Sequence, residues 1–127
     1  MKFFGTKLTC QKGEKLVFEN LNFSVETGNT LVLTGKNGSG KTSLLRIMAG
    51  LASPSKGLLS WNDGSVKQEP ERHKMRLNFV GHLNAIKSFL SVQENLIFWA
   101  QIRGINITDV HSVLETFKLH HLWLNLF

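Results

Sequence analysis

Eight consecutive residues carry the strongest chemical signal in the 127-residue sequence. Gly35-Lys36-Asn37-Gly38-Ser39-Gly40-Lys41-Thr42 fits G-x-x-x-x-G-K-[S/T], the phosphate-binding loop, at all four specified positions. Glycines let the backbone turn tightly, so that successive N–H groups point into one concavity, and a following helix adds the positive end of its dipole. The loop therefore predicts a site for the phosphates of a nucleotide. The alternative, a glycine loop that merely leads into a helix, remains open at this point.

Side chains at the end of the loop have separate predicted roles. Lys41 is a mobile positive charge for the β and γ phosphates. The Thr42 hydroxyl is the predicted ligand of Mg²⁺, and Ser43 can reach a phosphate oxygen. The predicted nucleotide-binding residues are Gly35, Lys36, Asn37, Gly38, Ser39, Gly40, Lys41, Thr42 and Ser43.

The loop needs a strand before it and a helix after it. Residues 30–34 have an apolar middle, which is typical of a strand buried on both faces in a parallel sheet. Residues 41–49 are predicted to form a helix that Gly50 ends. The predicted apolar face of this helix consists of Leu44, Leu45, Ile47 and Met48.

Short β segments are predicted in the rest of the N-terminal part. Residues 16–18 and 21–25 are apolar or alternating, and both are of β type. Residues 58–61 and 77–80 are two further strand candidates. The polar stretch 65–76 between them is expected to be a solvated connection.

The C-terminal part is predicted to be helical. Ser91 and Glu94 fit a capping box, so a helix is expected over residues 92–103, with Gly104 as its stop. Thr108 is the predicted N-cap of a second helix. The apolar residues of that helix recur at helical spacing: Val110, Val113, Leu114 and Phe117.

Composition limits the possible partners and locations. Fifteen Lys and Arg against nine Asp and Glu give a net charge of +6, which favours anionic partners. No run of four basic residues occurs, so no nucleic-acid partner is predicted. Cys10 is the single cysteine, which excludes an internal disulfide. The longest apolar run covers residues 96–100, whereas a membrane span needs about 20 residues, and no secretory signal is visible, so a cytoplasmic location is expected.

Cleavage of a nucleotide needs more than a phosphate cradle. Enzymes with this loop hold Mg²⁺ partly through an Asp at the end of an apolar strand. The sequence contains no Asp-Glu pair, and Asp63 follows a short strand in an ordinary turn. The residues therefore predict nucleotide binding rather than hydrolysis.

Residues 19–28, the loop itself and residues 44–51 together resemble the start of an ABC-transporter ATPase subunit, and the resemblance covers roughly residues 7–122. It implies an α/β fold: a P-loop NTPase core of strand, loop and helix, with antiparallel N-terminal β segments and the start of the ABC helical subdomain. ATP and Mg²⁺ are the implied ligands. The implied organisation is a β and P-loop core over 1–80, a Q-loop-like region over 81–91, and the start of the helical subdomain over 92–122.

Within that family, the sequence is similar to the ATP-binding subunits of haem exporters in cytochrome c biogenesis. The similarity lies at Gly81-His82, at residues 85–87 and at residues 94–99, which include the unusual pair Phe98-Trp99. The resemblance implies integral-membrane subunits as partners of the region Gly81–Trp99 and, at full length, an ABC-type dimer. It also implies a peripheral position on the cytoplasmic face of the inner membrane.

The sequence departs from the family at the place where an aromatic ring normally lies against adenine. Lys12 occupies the aligned position. Phe18, Phe3 or Phe4 are the possible substitutes, and core packing is the alternative role for each of them. Lys36 replaces a common proline of the loop, and this change is expected to be tolerated.

A second departure concerns the glutamine that senses magnesium and the membrane partner. His82 lies at the aligned position, followed by Leu83 where the subfamily carries the glutamine. His82 is thus the one catalytic candidate, with a structural loop histidine as the alternative. The remaining histidines are expected at the surface: His73, His111, His120 and His121.

The family pattern continues with a Leu-Ser-x-Gly-Gln signature, a strand ending in Asp-Glu and a switch histidine, none of which is found in these 127 residues. A whole subunit is expected to need about 200 residues. The chain is therefore interpreted as an N-terminal fragment that does not hydrolyse ATP alone. The alternatives are an ABC ATPase for another substrate and a non-hydrolysing nucleotide-binding fragment.

Overall fold

The computed structural model of the chain describes residues 1–82 and 85–122, apart from the side chain of His120. The chain divides into two compact units, Met1–Val80 and Gly81–Phe127. The first unit contains the phosphate loop, and the described part of the second is helical. The finer division into residues 81–91 and 92–122 stays a prediction.

The first unit is built on an antiparallel sheet in the order β2-β1-β3-β4. The hairpin between the first two strands turns through Gly13, whose φ of 59° favours glycine. The antiparallel N-terminal β segments predicted from the sequence are confirmed, although two of them belong to one continuous strand. The strands are β1 (Lys2–Lys12), β2 (Lys15–Glu26), β3 (Lys56–Trp61) and β4 (Gly64–Ser65).

The hydrophobic core lies between the sheet and the helix α1 (Lys41–Met48). Gly5 of β1 has no room for a side chain, because an added Cβ would lie 2.5 Å from Leu8 Cδ1 and 2.6 Å from Phe23 Cε1. Leu45 is 43% exposed, so the apolar face of α1 is narrower than predicted. The buried core residues are Phe3, Leu8, Leu44 and Leu59.

A helix that the sequence analysis did not predict, α2 (Pro70–Met75), lies in the stretch expected to be a solvated connection. His73 is only 1% exposed, so the expectation of a surface histidine was wrong. The Trp61 Nε1–H group donates to His73 Nδ1 at 3.0 Å, and His73 Nε2 lies 2.9 Å from the Met48 carbonyl oxygen. Because an indole N–H can only donate, the Nε2 atom carries the proton and donates to Met48.

An ion-pair network anchors the other side of α2. Arg76 donates to both carboxylate oxygens of Asp63, at 2.9 and 2.7 Å, and Arg72 donates to one of them at 2.8 Å. The Arg76 hydrogen bonds hold the pKa of Asp63 at about 2. The Arg76 guanidinium also lies 5.2 Å from the centre of the Trp61 ring. Asp63 therefore ties α2 to the turn between β3 and β4.

Two predicted strands are not formed, although both segments lie within the described part of the chain. Residues 30–34 and 77–80 have no strand assignment, and Val32 and Val80 are 73% and 90% exposed. A strand exists through its ladder of hydrogen bonds, whereas an apolar sequence pattern specifies burial without specifying a partner. The four strands of the described sheet pair only with one another.

The helix α3 (Val92–Arg103) has the predicted bounds, and its capping box is confirmed. The Glu94 N–H group donates to Ser91 Oγ at 3.2 Å, and the Ser91 N–H group donates to Glu94 Oε2 at 2.8 Å. The Ser91 hydroxyl also donates to Glu94 Oε2, at 3.0 Å, and the two bonds that Ser91 donates to this carboxylate, from its N–H group first, lower the pKa of Glu94. Gly104 ends the helix with a φ of 65°.

The next helix, α4 (Ile107–Thr116), begins earlier than predicted. Asn106 is its N-cap, because its side chain accepts a hydrogen bond from the Thr108 N–H group at 3.3 Å. Of the predicted apolar face, Val110 and Leu114 are buried, whereas Val113 and Phe117 are 48% and 68% exposed. A short 3-10 helix follows at His120–Leu122. Within the described residues, no helix combines the length and the apolar character needed to cross a membrane.

The buried histidine predicts a measurable pH dependence of stability. Burial lowers the pKa of His73 below 6.5, and this outweighs the bond to Met48, which alone would raise it. Below pH 6.5 the unfolded chain therefore binds a proton that the native chain excludes. As a result, the free energy of unfolding decreases as the pH is lowered. The slope contributed by one such group is at most about 1.4 kcal/mol per pH unit.

The matched variant is His73→Gln, whose amide can accept from Trp61 and donate to Met48 but does not titrate. Urea unfolding followed by circular dichroism between about pH 7.5 and about pH 5.5 should show a shallower slope for the variant. Equal slopes in the two proteins would contradict the assignment of this pH dependence to His73.

Candidate functional site

The contact between the phosphate loop and β2 is made possible by Gly40. This residue is the N-cap of α1 and has a φ of 93°. An added Cβ would lie 2.6 Å from Val17 Cγ1 and 3.1 Å from Phe18 Cδ1. Gly38 also has a positive φ, 82°, but there a Cβ would meet no described atom within 4 Å. At position 40 a larger residue would collide with the side chains of β2. At position 38 only the positive φ favours glycine.

The first turn of α1 faces the loop with its backbone donors. The first intrahelical bond runs from the Leu44 N–H group to the Gly40 carbonyl at 2.9 Å, so the N–H groups of residues 41–43 lie outside the helix's own hydrogen bonding. No side chain in the described part of the chain caps this helix, and its first turn, which is fully described, contains no acidic residue. The start of α1 therefore has the charge and the donors that an anion needs.

Lys41 closes the loop with its side chain. Its ammonium group donates to the Gly35 carbonyl at 2.6 Å and to the Lys36 carbonyl at 2.8 Å. The Ser39 N–H group donates to the same Lys36 carbonyl at 3.2 Å. The positive charge of Lys41 is thus held beside the backbone donors by bonds to neutral carbonyl groups.

An open depression of about 320 Å³ joins the loop to the end of the β1–β2 hairpin. Three lysines line it and, among the described residues around it, no carboxylate does. Of the nine predicted binding residues, six line the depression, while Gly35, Lys36 and Ser39 take part in the loop's internal hydrogen bonds. The lining residues are Lys12, Lys15, Val17, Asn37, Gly38, Gly40, Lys41, Thr42 and Ser43.

Sequence reasoning missed two residues of this depression, Lys15 and Val17. They point to the same face of β2, because side chains two residues apart do so in a strand. Lys15 also pairs with Lys12 across the hairpin. Residues 16–18 were recognised as a β segment, but the hairpin register that brings Lys15 and Val17 to the loop is not visible in the sequence.

The three phenylalanines considered as an adenine platform do not line the depression. Phe3 is 8% exposed within the core, 4.6 Å from the centre of the Trp61 ring. Phe18 packs beside Gly40 and against the core. Phe4 lines a separate surface depression on the sheet. Lys12 does line the site, at the position where the family is expected to carry an aromatic residue.

The second unit holds the segment that was predicted to contact membrane subunits. Asn95 is 4% exposed, and its Oδ1 accepts from the Lys87 N–H group at 2.8 Å. Its Nδ2 lies 3.0 Å from each of the carbonyls of Lys87, Leu90 and Ser91. One buried amide of α3 therefore fixes the path of residues 87–91.

Two aromatic residues of α3, Phe98 and Trp99, belong to the same predicted contact segment. The Trp99 indole N–H donates to the Ala85 carbonyl at 3.1 Å, and the Phe98 ring lies edge-on to Trp99 at 5.2 Å. Both rings remain more than one-third exposed. His82 is exposed, and its catalytic role stays a prediction. Leu83, at the expected glutamine position, lies outside the described residues.

Comparison with known proteins places these features in a family context. The ABC transporter family profile matches residues 18–126. The "Cytochrome c biogenesis ATP-binding export protein CcmA" of Rhodospirillum rubrum is 44% identical over 117 residues, which cover 92% of this chain and 50% of that protein. The protein of the same name from Paramagnetospirillum magneticum is 49% identical over 100 residues, which cover 79% of this chain and 46% of that protein. The chain thus spans about half the length of the curated relatives it matches.

Two solved structures share the fold. One, the ATP binding subunit of an ABC transporter, has a TM-score of 0.84 at 22% identity and covers 99% of this chain and 54% of its own. The other, a putative ABC transporter ATP-binding protein from Pyrococcus furiosus, has a TM-score of 0.76 at 24% identity and covers 96% and 63%. The predicted α/β fold class is confirmed, and the strand before the loop is the part of the predicted core that is not formed.

The close contact at Gly40 predicts unequal costs for two glycine substitutions. Both Gly38→Ala and Gly40→Ala incur the strain of a positive φ, about 1–2 kcal/mol. Gly40→Ala also forces a methyl group against Val17, whose branched side chain is stiff, and overpacking adds about 1–3 kcal/mol. Urea unfolding should therefore rank Gly40→Ala as the less stable variant. Equal losses would contradict the packing role of Gly40.

The bonds of Asn95 predict a local loss of order in the second unit. Asn95→Ala leaves the backbone groups of residues 87–91 without their partner, at a cost of about 1–3 kcal/mol. Amide hydrogen exchange of these residues should accelerate, whereas the control Gln101→Ala, at an exposed position of the same helix, should leave it unchanged. Unchanged exchange in Asn95→Ala would show that the segment is held by other contacts.

Proposed function

Because this chain belongs to the ABC transporter family, we propose that it binds ATP with Mg²⁺ as the ATP-binding part of an export complex for cytochrome c biogenesis. The observation that carries the binding proposal is the uncapped start of α1 facing a depression lined by Lys41 and two further lysines. The names of relatives at 39–49% identity support the biological assignment.

The residues of the loop have distinct proposed tasks. The N–H groups of residues 41–43 donate to phosphate oxygens, and the Lys41 ammonium exchanges its two carbonyl partners for the β and γ phosphates. The Thr42 hydroxyl is the proposed ligand of Mg²⁺. Bound Mg²⁺ supplies a compensating double positive charge to the phosphate oxygens. No carboxylate occurs among the described lining residues, so none would repel the negatively charged phosphates of the nucleotide.

Hydrolysis is proposed for the family assembly and not for these residues alone. The sequence provides a cradle for phosphates but no Asp-Glu pair to hold Mg²⁺ and position a water. Asp63 cannot serve instead, because Arg72 and Arg76 engage its carboxylate in the anchor of α2. The proposed activity of residues 1–127 is therefore nucleotide binding.

The second unit is the proposed contact with integral-membrane subunits, through Gly81–Trp99. The exposed rings of Phe98 and Trp99 and the segment fixed by Asn95 support this proposal. The complex is proposed to act as a dimer of ATP-binding subunits at the cytoplasmic face of the inner membrane, with haem as its cargo. Neighbouring genes for cytochrome c maturation would support the cargo, whereas a neighbouring gene for a periplasmic binding protein would oppose it.

The binding proposal predicts a specific loss in Lys41→Met. Removal of a charge-assisted contact to phosphate should weaken ATP binding about 10- to 100-fold, measured by isothermal titration calorimetry with Mg²⁺ present. Lys67→Met is the matched control, because it removes the same charge at an exposed position of the same unit that does not line the depression. Equal ATP affinity of wild type and Lys41→Met would refute the assignment of the loop.

A further inference from the structure

A second cavity lies in the first unit, beside the last turn of α1. Its volume is about 500 Å³, which is within the range of about 300–1,000 Å³ that is typical of small-molecule sites. Among the described residues, none lines both this cavity and the depression at the phosphate loop. The cavity is therefore separate from the proposed ATP site.

The cavity exists because β3 is longer than its neighbour. β4 pairs with only the last two residues of β3, and the Val66 N–H group then donates to the Leu59 carbonyl at 3.0 Å. Gly57 bends β3 with a φ of 91°, and a side chain there would collide with the Lys7 carbonyl group. Within the described sheet, no strand therefore pairs with residues 56–59 on the side away from β1, and the space beside them forms the cavity.

The base of the cavity is apolar. Ile47, Leu59 and Val66 line it, and the first two of these side chains are buried. His73 also lines it, but both nitrogens of its ring are engaged in hydrogen bonds, so the ring offers only carbon atoms to a ligand. The base therefore suits an apolar group.

The rim of the cavity carries positive charge. The exposed side chains of Lys56, Lys67 and Lys74 line it. Lys74 donates to Glu71 at 2.8 Å, whereas within the described part of the chain Lys56 and Lys67 form no ion pair. No lining residue in that part carries a carboxylate. Two unpaired ammonium groups therefore border an apolar base, and this combination favours an anion with an apolar body.

The end of α1 does not offer a competing site for a cation. A helix C-terminus carries a partial negative charge, which by itself would favour a cation. The last four carbonyl groups of α1, those of residues 45–48, all accept hydrogen bonds, three from backbone N–H groups just after the helix and one from His73. No carbonyl of the last turn is thus left without a partner, and the lysine ammonium groups are the charges that remain at the cavity.

We propose that this cavity binds a small organic anion with an apolar body, of the class of medium-chain carboxylates. The anionic group lies at the rim, where Lys56 and Lys67 donate to it, and the apolar body lies against the base formed by Ile47, Leu59 and Val66. The proposal does not depend on the proposed ATP site, because the two sites share no described lining residue.

The experiment titrates the isotope-labelled chain with octanoate, octylammonium and acetate at neutral pH and follows its amide NMR signals. Octylammonium keeps the apolar chain of octanoate and reverses the charge, whereas acetate keeps the charge and removes the apolar body. The double variant Lys56→Met/Lys67→Met removes both unpaired ammonium groups and keeps their unbranched stems. Its control, Lys2→Met/Arg46→Met, removes the same charge from exposed positions that do not line the cavity.

Octanoate is expected to shift the amide signals of residues 56–59 and 65–67 in a saturable manner. Acetate should bind more than about tenfold more weakly, because it lacks the buried methylene groups, and octylammonium should bind more weakly than octanoate because the lysines repel it. Absence of octanoate binding would overturn the proposal, as would shifts confined to residues 35–43. Equal affinities for octanoate and for either of the other two probes would also overturn it.

The variants test the two lysines directly. The double variant should bind octanoate about 3- to 30-fold more weakly, the range that two exposed ion pairs provide, and the control should bind it as wild type does. Equal affinities of the double variant and wild type would overturn the role of the rim. An equal loss in both variants would overturn it as well, because the effect would then come from net charge alone. The comparison of the three probes in wild type needs no variant, so it remains a test if a variant does not fold.

Discussion

The contact between Gly40 and β2 is the constraint on which the candidate site depends. Gly40 turns the chain into α1 with a left-handed backbone, and its missing side chain lets Val17 and Phe18 pack against that turn. Any larger residue would push the start of α1 away from the hairpin. The same approach brings Lys15 to the depression beside Lys41. One close backbone contact therefore sets both the direction of the helix donors and the distribution of positive charge around them.

The other end of α1 is held by a polar contact in the core. The Met48 carbonyl, in the last turn of the helix, accepts from His73, and the second nitrogen of the same ring accepts from Trp61. The imidazole thus joins α1, α2 and β3 through groups that leave no unsatisfied buried side-chain atom among the described residues. With Gly40 at one end and Met48 at the other, α1 is fixed along its length. A site made of backbone donors needs this rigidity, because such donors cannot reorient independently of the helix.

The sequence allowed the prediction of those features whose signals are local. The spacing of its glycines identifies the phosphate loop, and the capping box of Ser91 and Glu94 identifies the start of α3. Residue spacing alone was therefore enough to predict both positions. The burial of His73 depends on Trp61, which lies twelve residues earlier and on another element. The residues next to His73 in the sequence are polar, so the local sequence pattern did not indicate that it is buried. Residues 30–34 show the opposite failure. Their apolar pattern predicted a strand, but such a pattern does not specify a neighbouring strand with which to form hydrogen bonds. The lysine-lined depression lies between these cases, because residues 16–18 could be recognised as a β segment while the register of the hairpin could not be predicted.

The missing cap of α1 shows how the helix combines stability with binding. A Ser, Thr, Asp or Asn cap ordinarily contributes about 1 kcal/mol to a helix by satisfying its first N–H groups. A capping side chain at position 40 would collide with Val17 and would occupy the donors that a phosphate requires. The helix is stabilised instead by the burial of Leu44 and Ile47, which are 4% and 1% exposed and contribute about 1.5–3 kcal/mol each. Because its stability comes from the core, α1 can leave its N-terminus open, whereas the start of α3 is closed by its own side chains and has no comparable capacity for an anion.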